Sequence, residues 1–432
     1  MTIGRPITAD EVTSIVIETG SAFTRAGFSG EYSPKFMLPT AYGKDREDKY
    51  YFGETALNEP VPGKEVYSPL TDGCIQDWNA ISKFWRYIYE DRFKLDPREW
   101  PFVTTEQIWN PPENKKRSLE VAFEDLQVPI FSLLKAPLCA TYESGRPTGL
   151  VIDVGASVAS VTPVVEGNVM ARSAYHSRFA GDFINLHIVN HLEKQRGIKI
   201  TPTYQVQRKS VTETGEPANP VYRTFPEPMT ASYDTYQIGR VLTEFKESTS
   251  QVAEAPFDLN TVHMQRLGAR PFEFPTGYNL SFGPERFTTT EPLFKPSLFP
   301  IDDIPAEALS NAQGISQLVN GALSRVISSS SQSTTPGLAE ANIKALLSNI
   351  IITGGTSLMQ GFVNRIEYEI AQYYPTYGLT FTVAQNASER KSTTWTGASI
   401  LASLGNFGQE QSWVTKQEYD EYGADLAEKR FK

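Results

Sequence analysis

Two short phrases carry the residue types that handle a polyphosphate. Ile15-Val16-Ile17-Glu18-Thr19-Gly20-Ser21 lies near the start, and Leu150-Val151-Ile152-Asp153-Val154-Gly155-Ala156-Ser157 lies far downstream. In each, a β-branched run reaches an acid and then a glycine. Glycine lets backbone N–H groups come close to phosphate oxygens, and a carboxylate at a strand end can hold a hydrated cation beside them. Two copies predict two half-sites facing one nucleotide.

The elements that must position these residues follow from the surrounding pattern. The first phrase reads as a strand from Ser14 to Ile17, a turn at Gly20-Ser21 and a return strand from Phe23 toward Phe28. The second reads as a hairpin from Gly149 to Pro163, continued by a strand near Val164 to Met170. Residues 33–73 are rich in Pro, Gly, Lys and Asp, which predicts a small, loop-rich excursion. Ile81, Phe84, Trp85 and Ile88 then recur at helical spacing, and Leu119, Ala122, Phe123 and Leu126 do the same after Pro111-Pro112. A short strand is predicted at Val103 to Glu106, and helices over Gly181 to Leu192, Tyr236 to Val252 and Gly361 to Tyr373. The stretch 198–230 and the run Ser328 to Gly337 read as surface loops without chemistry.

Composition narrows the class. A chain of 432 residues exceeds one simple core and predicts two lobes. A formal charge of −10 argues against broad electrostatic capture of nucleic acid, so any link to DNA or the nucleosome is expected to be indirect. Cys74 and Cys139 are too few for a disulfide framework and read as buried small hydrophobes. No apolar run reaches the roughly 18 residues of a membrane span, and Met1 to Asp10 lacks a signal-peptide core, so an intracellular protein with no membrane partner is expected. Lys115-Lys116-Arg117 reads as a solvated helix face rather than a nuclear signal.

The two hairpins, together with the strand Ile350 to Thr353 and Gly354-Gly355-Thr356, fall in an order and spacing that resemble the actin superfamily. Ala26-Gly27-Phe28-Ser29-Gly30, Ser144-Gly145-Arg146, Glu285-Arg286-Phe287 and the run from Trp395 to Tyr419 agree with it. Singly these glycines would fit tight turns; jointly they favour a binding role. The resemblance implies an α/β, actin-like (ribonuclease H-like) ATPase fold, with two lobes of duplicated five-stranded sheets flanked by helices around a nucleotide cleft. It divides the chain into a first lobe of residues 1–145 with 390–432, carrying a small subdomain at 43–73, and a second lobe of 146–389 with a small subdomain at 186–289. By motif position, Glu18, Gly20, Ser21 and Arg25 match the first phosphate loop, and Asp153 and Gly155 the second. Gly354, Gly355 and Thr356 match the adenosine pocket, and Lys246, Glu247 and Lys391 its nucleoside-clamping charges.

The resemblance also exposes departures. Hydrolysis needs a water held in line with the γ-phosphate and an acceptor for its proton. The family's water-orienting glutamine position falls on Ala136, its partner histidine on Ser160 and its second-loop acid on Ala156. No catalytic residue and no dedicated metal ligand set is therefore expected. ATP or ADP is expected with weakly held Mg, with a nucleotide-free protein as the alternative. The tip at Gly43 to Asn58 is charged and aromatic rather than apolar, which predicts that filaments do not form.

Thr105-Glu106-Gln107-Ile108-Trp109-Asn110, Glu113 to Val121 and Ile350 to Leu358 are similar to the nuclear, chromatin-associated branch of the family. That branch implies a non-catalytic subunit of a SWI/SNF- or RSC-type remodelling complex in the nucleus. Its partners would be actin or another actin-related protein, side by side on the helicase-SANT-associated helix of the motor. The same architecture in a histone acetyltransferase scaffold is the alternative, and an active cytoskeletal ATPase a third reading. The groove for the partner helix is expected around Tyr142, Leu401, Leu404 and Phe407.

Overall fold

The computed structural model describes residues 13–256, 268–330, 336–404 and 412–431. Two six-stranded sheets dominate it. In the first, the strands run in the order Val414–Thr415, Ile130–Lys135, Phe102–Glu106, Ile15–Thr19, Phe23–Phe28, Phe36–Pro39. In the second the order is Asn168–Val169, Ala159–Val165, Gly149–Val154, Ile350–Thr353, Phe381–Val383, with Tyr175–Ser177 also on Ala159–Val165. The two sheets share a plan. Ile15–Thr19 pairs antiparallel with its hairpin mate and parallel with Phe102–Glu106, just as Gly149–Val154 pairs antiparallel with its mate and parallel with Ile350–Thr353.

The five-stranded expectation is exceeded by one strand in each lobe. The seven-residue strand Ala159–Val165 is long enough to be bordered by two short strands end to end, Tyr175–Ser177 on its first residues and Asn168–Val169 on its last. In the first lobe, Val414–Thr415 caps the edge of Ile130–Lys135.

Each sheet buries its own core. Ile15, Ile17, Trp85, Phe102 and Phe131 pack on one side of the molecule, and Leu150, Ile152, Ile184, Leu323 and Ile366 on the other. Trp78–Tyr87 is helical as the stripe predicts, with an Asp77 side-chain cap accepting from Ala80 N–H at 2.9 Å. The helices Ala136–Glu143 and Ala387–Ser403 cross, and each lies against strands of both sheets. Gly397 makes the crossing possible, since a Cβ there would lie 1.8 Å from the Cys139 carbonyl oxygen. Trp395 is fully buried beside it and donates its indole N–H to Val16 O at 3.0 Å. Cys74 and Cys139 are buried, free thiols.

Several loop expectations are modified. Within 198–230, Val206–Arg208 pairs with Val221–Tyr222. Ser328 to Ser330 close the helix Ile315–Ser330, and 331–335 lie outside the described residues. Lys115 is largely shielded, 3.2 Å from the buried Glu106 carboxylate, and Lys116 reaches Asp425 and Glu428. Lys115 and Lys116 therefore tie their helix to its neighbours, while Arg117 faces water as expected and pairs with Glu120 on the same helix.

Candidate nucleotide cleft

The two hairpin tips close with the same geometry. Gly20 N–H donates to Phe23 O at 3.2 Å, and Gly155 N–H donates to Val158 O at 2.9 Å. Each glycine carbonyl accepts a threonine hydroxyl, from Thr40 at 2.6 Å in the first hairpin and from Thr356 at 2.7 Å in the second. The tips touch. Ser157 donates its hydroxyl to Ser21 Oγ at 2.5 Å, so Ser157 belongs to the site although the sequence reading did not assign it a role.

Behind the tips lie the acids. Glu18 stands opposite Arg25 in the first hairpin's register and Asp153 stands opposite Ser160 in the second. Glu18 and Arg25 form an ion pair at 3.4 Å. Burial nevertheless pushes the Glu18 carboxyl above its ordinary range, with Arg25 opposing. Burial, reinforced by the Glu18 charge, raises Asp153 to about 6, while Arg25 again opposes. One guanidinium thus serves two buried carboxyls. A cavity of about 40 Å³ borders Glu18, Thr104, Glu106, Ala136 and Asp153, enough to hold ordered water beside the acids.

The other half of the cleft is built on Gly354, at φ +89°, where any Cβ would lie 2.3 Å from Val154 O and 2.5 Å from Asp153 Oδ1. Gly355 lies against the Lys391 side chain, and Lys391 pairs with Glu247 at 3.2 Å. Lys246 is buried and donates its ammonium to Gly181 O at 2.9 Å; burial lowers its pKa, and Asp182 and Glu247 partly offset this. Contacts link part of the predicted set: Gly354 lies against Asp153, Gly155 O accepts from Thr356, and Gly181, whose carbonyl accepts from Lys246, lies against both Thr356 and Gly155.

A further set of contacts lies beside the second tip, where Gly73 neighbours both Val158 and Trp109. Trp109 stacks on His176 with ring centroids 4.0 Å apart and donates its indole N–H to Asp72 O at 2.8 Å. Arg178 reaches the Asp72 carboxylate at 3.1 Å.

At the positions where a water-activating apparatus would stand, Ala136 opens its helix, Ala156 forms the second tip and Ser160 lies buried on the strand. Among the described residues no group of three or more His, Cys, Asp or Glu side chains is arranged to hold a metal. Glu18 and Asp153 still offer the hard oxygens that suit Mg bridged by phosphates.

The groove set divides. Tyr142 and Leu404 are exposed, at the ends of the two crossing helices. Leu401 is buried against Val16, Val103, Leu134 and Trp395, so it is core and no partner contact. Phe407 lies outside the described residues.

Sheet plan, hairpin geometry and cleft define an actin-type protein, and comparison with known sequences agrees. The Actin family profile matches residues 9–432, and the chain belongs to that family. It is 38% identical to Actin-related protein 4 of Yarrowia lipolytica, covering 98% of this chain and 97% of that one. It is 36% identical to the SWI/SNF and RSC complexes subunit arp42 of Schizosaccharomyces pombe, covering 98% and 100%. Actin-related protein 4 of the same yeast is also 36% identical, covering 98% of each.

Proposed function

We propose that this protein is a non-catalytic, non-polymerising actin-related subunit of a nuclear chromatin-remodelling complex, holding a nucleotide that it does not hydrolyse. The observation that carries the reading is the contrast inside the cleft. The hairpin tips, Gly354 and the Lys246 and Lys391 clamps keep a nucleotide-binding arrangement, while Ala136, Ala156 and Ser160 supply neither a water-orienting amide nor a ring base. Bound ATP or ADP would be held at the phosphates by the backbone of the two tips and Arg25, and at the nucleoside by Lys246, Glu247 and Lys391. Such a group would contribute binding energy across two lobes, and the chain's own residues would orient it without activating water.

The names of the relatives support the assembly part of this reading. A remodelling-complex subunit would dock a partner helix at the exposed Tyr142 and Leu404, beside actin or a second actin-related protein. The small tip is itself folded, with Asp45 accepting from Glu47 N–H, Lys49 N–H and the Tyr51 hydroxyl, which suits a subunit that does not insert this tip into a neighbour in a filament.

Native purification followed by a single-turnover assay tests both parts. The expected outcome is co-purification with a remodelling motor and ATP remaining intact on the protein. Hydrolysis on the time scale of an active ATPase, or purification without such a motor, would overturn the corresponding half.

A further inference from the structure

The first lobe has a second cleft, at the edge of its sheet opposite the hairpin tip. The strands Ile15–Thr19, Phe102–Glu106 and Ile130–Lys135 run parallel, and Glu18, Glu106 and Ala136 lie at or beside their far ends. The residues leading into two of these strands, 94–98 and 125–127, line a cavity of about 550 Å³ together with Arg86 and Glu90. The nucleotide site uses none of it. Two helical stretches end here. Trp78–Tyr87 continues as the π-helical segment Ile88–Phe93, and Pro112–Glu120 continues as Val121–Asp125, so each widens in its last turn. Lys94 (φ +62°) follows the first and Gln127 (φ +59°) stands just beyond the second, both in the left-handed region that side chains other than glycine rarely adopt. The last carbonyls of a helix have no partner within it, and two C-terminal ends bordering one cavity favour a positive charge.

The side chains divide into spent donors and open acceptors. Arg86 donates to the Glu90 carboxylate at 3.0 Å and to Asp125 O, and Arg98 holds the Asp96 carboxylate at 2.6 Å. Lys94 stands 4.0 Å from Asp91. Among the described residues no hydrogen bond or ion pair reaches the Asp125 carboxylate or the Gln127 amide, and both residues are exposed. Leu95 and Pro97 add an apolar wall. Arg86 already bridges the two helix ends, so a guanidinium suits their spacing. An entering group must bring donors on an apolar stem, which describes the side chains of Arg and Lys. A phosphate or carboxylate would meet cations that are already paired.

We propose that this cleft binds an arginine- or lysine-bearing peptide segment of a partner. The basic head group sits on the Asp125 carboxylate, the Gln127 amide oxygen and the helix-end carbonyls, and its stem lies along Leu95 and Pro97. The chain's net charge of −10 draws such a segment in, and the cleft fixes where it docks. The site lies wholly on the first lobe and works with or without a bound nucleotide.

The experiment uses the full chain and reads the fluorescence anisotropy of a labelled heptapeptide bearing two arginines, beside a twin bearing two glutamates. The arginine peptide is expected to bind, more weakly as salt is added, and the glutamate twin is expected not to bind. Asp125→Lys should weaken the arginine peptide by about tenfold, because it removes a charged acceptor and puts a like charge in its place. Glu307→Lys makes the same charge change on the exposed helix Ala306–Ser310 and should alter binding by less than about twofold, since screening confines the effect to the cleft. Gln127→Gly relieves the left-handed backbone, so it should melt no lower than the parent while still binding the peptide less tightly. Equal losses in Asp125→Lys and Glu307→Lys would reduce the attraction to net charge and overturn the site. Binding of both peptides or of neither, or parent-like binding in a folded Asp125→Lys or Gln127→Gly, would overturn it as well.

Discussion

The first and second hairpins have the same backbone plan and different charge. Both close a four-residue turn from a glycine, both offer a glycine carbonyl to a threonine hydroxyl, and both place an acid opposite a fixed partner position. In the first hairpin that position is Arg25; in the second it is Ser160. The difference shows that turn geometry and charge balance were adjusted separately. The tips remain suited to phosphate, while two buried carboxyls lean on a single cation, and a buried carboxyl without its own cation holds its proton.

The largest break in the comparison is Arg25→Met. It strands Glu18 and removes the only guanidinium acting on Asp153 among the described interactions. A loss of about 3 kcal/mol is expected from a buried pair broken on one side, read as a lower midpoint in urea unfolding. An unchanged midpoint would mean the two carboxyls are neutral in the folded protein and do not need the cation.

Asp153→Asn should have the next largest effect, and its sign depends on pH. Asp153 titrates near 6 when folded and near its ordinary carboxylate value when unfolded, so the folded protein binds the proton more tightly. The stability this contributes is fully present below the unfolded value and is lost as pH rises through about 6. The variant should match the parent near pH 3 and exceed it by up to about 3 kcal/mol near pH 7. Parallel melting profiles across that range would place the proton elsewhere.

The smallest effect is expected from Ser21→Ala. It removes the one hydroxyl bond between the tips, which is worth about 1 kcal/mol. Ala156→Ser, adding a hydroxyl beside that bond on the second tip, serves as the contrast in the same melting assay. If Ser21→Ala costs nothing, the tips are held together by the lobes and not by each other.

Much of this was legible in the chain because it is local. A β-branched run, an acid and a glycine specify a hairpin within a dozen residues, and the spacing of Ile81, Phe84, Trp85 and Ile88 specifies one buried helix face. The family resemblance then joined Gly354, Lys246 and Lys391 to the hairpins, which no local pattern does. What escaped depends on distant partners. Lys115 looks like a solvated residue until Glu106 packs beside it, and Lys64 until a tyrosine about 170 residues away in sequence covers it. Leu401 had a local signal after all. Trp395, Ala398, Leu401 and Ala402 form an inward stripe at helical spacing, and that stripe marks Leu401 as core.

The crossing at Gly397 has a mechanical consequence. With the Cys139 carbonyl already in the space a methyl group would need, the two helices meet without clearance, like a bearing cut to the width of its shaft. Any side chain placed there pushes apart two helices that each lie against strands of both sheets, so the displacement reaches each sheet directly. A single methyl group at Gly397 therefore acts on both sheets at once.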